Sequence, residues 1–173
     1  MEASDSQKDI LLVEDNSADV TLLQHAVLEY GKLPWRMYRV HDGEAALAFL
    51  RQEGLYADMP RPALVIVAIH PPKLDGWHVL ETIRALPALA IIPVVMLTGG
   101  MAQRDEEQRA ALQPSACLVK PGKLEEYAQL VRTLEQLIPK VLGERLTTVS
   151  LTVPDIRPPY RTLVGIQTVS DSF

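Results

Sequence analysis

The chain has 173 residues, of which 47% are apolar and 23% charged, and its formal net charge is −5. That length and apolar content suit one ordinary domain with a full core plus a short tail, and they exclude a globally disordered chain. The mild acidity gives no bulk attraction for nucleic acid or anionic membrane, and the longest apolar runs, such as Leu64 to Ile69, are too short to span a bilayer.

The single cysteine, Cys117, can form no internal disulfide, and one thiol cannot build a zinc finger or ribbon. This usage predicts a reducing, cytoplasmic setting. The polar, acidic stretch from Met1 to Asp9 predicts no signal peptide.

Ile10 to Val13 is a short continuous apolar run that stops at Glu14-Asp15-Asn16, which predicts a strand buried on both faces. Ser17 is the expected N-cap of a helix whose apolar positions are Val20, Leu23, Val27 and Tyr30, with Gly31 as its stop. Trp35 to Val40 predicts a second strand, and Asp42 caps a second helix that runs through Leu50. Leu64 to Ile69 is the strongest strand signal, and Gly76 opens a helix with Trp77, Leu80 and Ile83 on one face. A fourth strand is expected over Ile91 to Thr98, then a polar helix over Ala102 to Leu112 and a short fifth strand over Ala116 to Val119. Leu124, Tyr127, Val131, Leu134, Ile138 and Val141 trace a final helix. Strands alternating with helices predict an α/β, doubly wound parallel sheet of five strands flanked by five helices.

After residue 142 the character changes. Prolines 154, 158 and 159 impose extended or turn backbone, yet Leu146, Val149, Leu151, Ile156, Val164 and Phe173 are apolar. Residues 1–8 therefore read as a tail, 9–142 as the domain and 143–173 as a C-terminal arm. The arm is either a flexible terminus or a segment that packs on this domain, on a second copy or on a partner.

In an open α/β sheet the functional crevice lies beyond the carboxyl ends of the strands. Glu14 and Asp15 end the first strand, Ala68-Ile69-His70 the third, Thr98 the fourth and Lys120-Pro121 the fifth. Adjacent carboxylates repel unless a hard cation relieves them, and magnesium favours one or two carboxylates, retained waters and phosphate oxygens. A threonine hydroxyl donates to a phosphoryl oxygen and a lysine neutralises one as a point charge. These residue types together describe a site for a phosphoryl group bridged by a metal. No GxxxxGK[ST] loop occurs, and an acidic turn after the first strand would repel a flavin phosphate.

The segments ILLVEDNSADV, VHDGEAALAFL, LDGWHVLETIR, IPVVMLTGG and CLVKPGKLEEY resemble the receiver domain of two-component response regulators over about residues 9–140. The loop from Arg51 to Arg61 and the C-terminal extension are similar to the single-domain regulators that partner phytochrome-type histidine kinases. The resemblance implies a flavodoxin-like sheet of strand order 2-1-3-4-5 and a non-enzymatic, cytoplasmic phosphorelay protein. It implies that Glu14 and Asp15 bind the metal together with the backbone carbonyl of His70, and that Thr98 and Lys120 contact the phosphoryl group. It also implies a histidine kinase as partner.

Two positions depart from the family. The phosphate-accepting aspartate is expected seven residues before Asp75, where this chain has Ala68. A methyl group has no nucleophile, so no acyl phosphate is expected there, and magnesium binding is expected to be weak or absent. Lys120 loses its expected partner and should turn to Glu14, Asp15 or water. Three residues before Lys120 the family has an aromatic switch, and this chain has Cys117. Ala68 has two readings: a receiver degenerate at this position, or an aspartate replaced to block phosphorylation.

Three functions compete on the sequence. The first is a receiver that binds its partners without accepting phosphate, with a kinase docking near the first helix and output read from the 102–112 helix, the 116–119 strand and the final helix. The second is a phosphorylation-independent interaction module that forms a homodimer through the arm and the final helix. The third, a metal-dependent phosphohydrolase, needs a DxD-type nucleophile that Glu14-Asp15-Asn16 does not supply. Neither DNA binding nor membrane binding is expected. No two histidines have ligand spacing, Trp35 and Trp77 read as packing residues, and Arg104 to Arg109 reads as a solvated helix face.

Overall fold

The computed structural model describes residues 7–69, 75–100 and 102–138. The elements in chain order are β1 (Lys8–Val13), α1 (Ser17–Tyr30), β2 (Trp35–Val40), α2 (Gly43–Arg51), a 3-10 turn (Gly54–Tyr56), β3 (Leu64–Ile69), α3 (Gly76–Ala85), α4 (Pro87–Ala90), β4 (Val94–Thr98), α5 (Gln103–Leu112), β5 (Ala116–Val119) and α6 (Leu124–Leu137). The sheet is parallel, with strand order β2-β1-β3-β4-β5. All six residues of β3 are buried because both faces of this central strand are covered.

Side chains alternate across each strand, so two cores form. Leu11, Val13, Val65, Val67 and Met96 meet Phe49, Leu80 and Ile83 under α2 and α3. Ile10, Leu12, Ile66, Ala68 and Leu97 meet Val27, Tyr127, Val131 and Leu134 under α1 and α6. Gly76 is required where α3 meets the sheet, since a Cβ there would lie 2.8 Å from Val67 Cγ1.

Among the described residues six helices form where the sequence predicts five. The extra one, α4, is a single turn with proline in its first turn, too short to leave a periodic signal. β4 begins at Val94 rather than at residue 91: Ile91 is 86% exposed, and Pro93, which has no N–H, contributes its carbonyl to Val65 N. Asn16, not Ser17, caps α1, because its side chain accepts from Ala18 N at 2.9 Å. α6 closes at Leu137, and Val141 lies outside the described residues. The loop after α2 holds a 3-10 turn that buries Tyr56 against Phe49, at a ring separation of 5.7 Å. α5 buries none of its residues, in keeping with a solvated charged face. His70 and the 143–173 arm lie outside the described residues.

Candidate functional site

The strand ends form one rim, and the pleat decides which side chains face it from the α1/α6 side. Trp35 and Met37, Ile10 and Leu12, Ile66 and Ala68, and Ala116 and Leu118 all belong to the core under those helices. Continuing the β2, β1 and β5 series by two residues aims Arg39, Glu14 and Lys120 the same way. Val13 pairs with Val67 and Ala68 with Leu97, so Ala68 stands in the row just beyond Val13, level with Glu14.

Glu14 is 2% exposed, and both of its carboxylate oxygens are engaged. Oε1 accepts from Asn16 N at 2.9 Å and Oε2 from Lys120 Nζ at 2.7 Å. Lys120 Nζ also donates to Asp19 Oδ2 at 2.7 Å, so the lysine turns to Glu14 and to a carboxylate that the sequence analysis does not single out. Asp19 lies in the first turn of α1, where the helix dipole favours a negative charge. The guanidinium of Arg39, a buried residue, holds the acidic turn by its backbone: Nε donates to Glu14 O and Nη2 to Asp15 O, each at 2.9 Å. Both Nη atoms also reach Ser17 Oγ at 3.3 Å. Tyr127, from α6, lies near enough to Asp19 and Glu14 to feel their charge. Burial pushes its phenol above the usual range, and the charges of Asp19 and Glu14 push it in the same direction.

Thr98 adjoins this cluster through its backbone, its carbonyl accepting from Lys120 N at 2.7 Å. Thr98 closes a turn of its own, its Oγ1 donating to Gly100 O and accepting from Gly100 N. Cys117 pairs with Met96, deeper in the sheet than Thr98, and packs against the other core. Burial pushes its thiol pKa up and leaves it a poor thiolate. Asp75 caps α3 by accepting from His78 N, and Trp77 Nε1 donates to Asp105 at 2.9 Å, tying α3 to α5. The structure therefore brings Glu14 and Lys120 into contact and sets Asp15 and Ala68 beside them, while Thr98 ends the neighbouring strand and Cys117 is not in the pocket.

Arg39, Asp19 and Tyr127 are the residues that sequence reasoning missed. Arg39 had a signal: it is a charge at the inward-facing end of a strand that also carries Trp35 and Met37. Asp19 had none beyond its place in a first helical turn.

Among the described residues, the side chains at this rim do not fit a divalent cation as arranged. Glu14 has both oxygens bonded, position 68 offers a methyl group, and an ammonium sits where a hard cation would need to approach. Among the described residues no group of three or more His, Cys, Asp or Glu side chains is arranged to hold a metal.

No family model matches the chain. Response regulator Rcp1 of Synechocystis sp. is 38% identical over 132 residues, which are 76% of this chain and 89% of that protein. The chain belongs to the response regulators. Among solved structures this response regulator is similar to the phosphorylated cyanobacterial phytochrome response regulator RcpA, with 38% identity and a TM-score of 0.69 over 77% of this chain and 94% of that one. It is also similar to the manganese-bound form of Rcp1, with 35% identity and a TM-score of 0.67 over 81% of this chain and 99% of that one. As a response regulator it carries the five-stranded receiver fold, with Glu14, Asp15 and Lys120 at the carboxyl ends of its strands.

Proposed function

We propose that this chain is a single-domain receiver of a phosphorelay that cannot be phosphorylated at the usual position. The observation that carries the reading is Ala68: fully buried, level with Glu14, and presenting a methyl group where phosphoryl transfer needs a carboxylate oxygen. In this reading Glu14 and Asp15 are the acidic pair, joined by the carbonyl of His70. Thr98 and Lys120 are the phosphoryl contacts, and Cys117 occupies the switch position. Residues 9–142 are the receiver and 143–173 an arm. The protein is cytoplasmic and not an enzyme, and its partner is a histidine kinase of the phytochrome type, in line with its similarity to RcpA. Incubation of the full chain with magnesium and acetyl phosphate should add no phosphoryl group by intact mass. A stable adduct would overturn the reading.

A second reading, a phosphorylation-independent dimerisation module, is favoured by the sheet edge that β5 forms among the described residues. β5 leaves Val119 58% exposed, beside a groove of about 340 Å³ lined by Val119, Pro121, Leu130 and Thr133. A homodimer through this face and the arm predicts association at tens of micromolar that weakens on truncation after residue 143. A monomer by light scattering would count against it.

A further inference from the structure

The pocket offsets part of its charge from within, and this bears on what can enter it. Three carboxylates, those of Glu14, Asp15 and Asp19, lie on consecutive parts of one turn and helix start. Lys120 comes to them from the far edge of the sheet, 2.7 Å from Glu14 Oε2 and 2.7 Å from Asp19 Oδ2. The pair is largely shielded from solvent: the side chains of Lys120 and Glu14 are 11% and 3% exposed. An ammonium is a compact point charge with three donors, so it can serve two carboxylates at once. Position 68 supplies no anion to hold the lysine elsewhere. A divalent ion using Glu14 Oε2 would have to share that oxygen with Nζ, at a separation where two cations repel strongly in a shielded site.

We infer that Lys120 is a tethered cation that closes this pocket to divalent metal, and that Asp19 is the second anchor that holds it there. The inference rests on the reading of the site as a receiver pocket without its acceptor. It also assigns a mechanical role: the lysine fastens the end of β5, an edge strand among the described residues, to the first turn of α1. Metal entry and this fastening are mutually exclusive, so each weakens the other by the same factor.

The test is a titration of the full chain with manganese, following free Mn²⁺ by electron paramagnetic resonance. It compares the parent with Lys120→Met and Lys120→Gln, each first shown to unfold in one cooperative urea transition. The substitutions should tighten manganese binding about tenfold or more, because a like charge leaves the site. In the parent the Lys120 ammonium should give a slowly exchanging ¹H–¹⁵N signal, and Asp19→Asn should speed that exchange. Unchanged or weaker manganese binding in both lysine variants would overturn the inference. So would an ammonium signal in the parent that exchanges as fast as in Asp19→Asn. Phosphate uptake by the unsubstituted chain would defeat the functional reading instead, and would leave the manganese comparison standing as a separate result.

Discussion

Replacing Lys120 by methionine keeps the length of the side chain and removes its charge. Glu14 would remain a buried carboxylate whose Oε2 loses the donor at 2.7 Å, with Asp15 and Asp19 adding like charge nearby. Removing one partner of a buried ion pair costs about 3–5 kcal/mol, chiefly because the other charge is stranded. The Asp19 side chain is 26% exposed and can be rehydrated, which places the expected loss near the lower end, about 3 kcal/mol. Glu14→Gln in the same background removes the stranded charge and should restore about 1–2 kcal/mol. The double variant should therefore be more stable than Lys120→Met alone. Urea unfolding followed by tryptophan fluorescence measures all four corners of the cycle, with Trp35 and Trp77 both buried as reporters. A loss below about 1 kcal/mol for Lys120→Met, or a coupling within about 0.5 kcal/mol of zero, would refute the buried-pair reasoning.

Two further perturbations probe the frame around the pocket. Glu135 Oε1 accepts from Lys32 N, Leu33 N and Trp35 Nε1, so Glu135→Ala removes the acceptor of three donors, the last two of them in part-buried bonds, where α6 meets the start of β2. It should cost about 1–3 kcal/mol in urea and shift the Trp35 emission, whereas Glu135→Gln, which keeps an acceptor, should cost less. The folded-state pKa of Tyr127 is raised above its ordinary 10.0, so the neutral phenol is favoured in the folded protein. The stability this carries is fully present below pH 10 and is lost as pH rises through the folded value. Tyr127→Phe should accordingly flatten the decline of the urea midpoint above pH 10. An unchanged slope would show that the phenol does not feel the pocket.

Much of the fold was legible because it rests on short-range signals. Continuous apolar runs marked strands buried on both faces, and acidic or glycine-containing turns marked their ends, so β2, β3 and β5 begin and end where the pattern placed them. The failures are equally local. The one-turn α4 has no period to read, Pro93 displaced the start of β4, and Asn16 outcompeted Ser17 as a cap by the geometry of one side-chain oxygen. At the site, strand-end positions named Glu14, Asp15, Ala68, Thr98 and Lys120, since sheet topology alone sends them to one rim. Hydrogen-bond partners were not legible. That Lys120 would divide itself between Glu14 and Asp19 depends on how α1 packs beside the end of β5, a tertiary relation across about one hundred residues of chain. Arg39 was readable in principle, as a charge at an inward-facing strand position, and shows that alternation should be followed one step past each strand's apolar residues.

The central claim is that a carboxylate at position 68 is what this pocket lacks: it would supply the reactive oxygen, draw Lys120 from Glu14 and let magnesium enter. Ala68→Asp supplies that oxygen at a buried position level with Glu14. The direct measurement is intact-mass analysis of Ala68→Asp after exposure to acetyl phosphate, with and without magnesium, followed by mapping of the modified peptide. The account predicts one phosphoryl group per chain, on residue 68, formed only with magnesium present. A folded Ala68→Asp protein that stays unmodified under those conditions would contradict it.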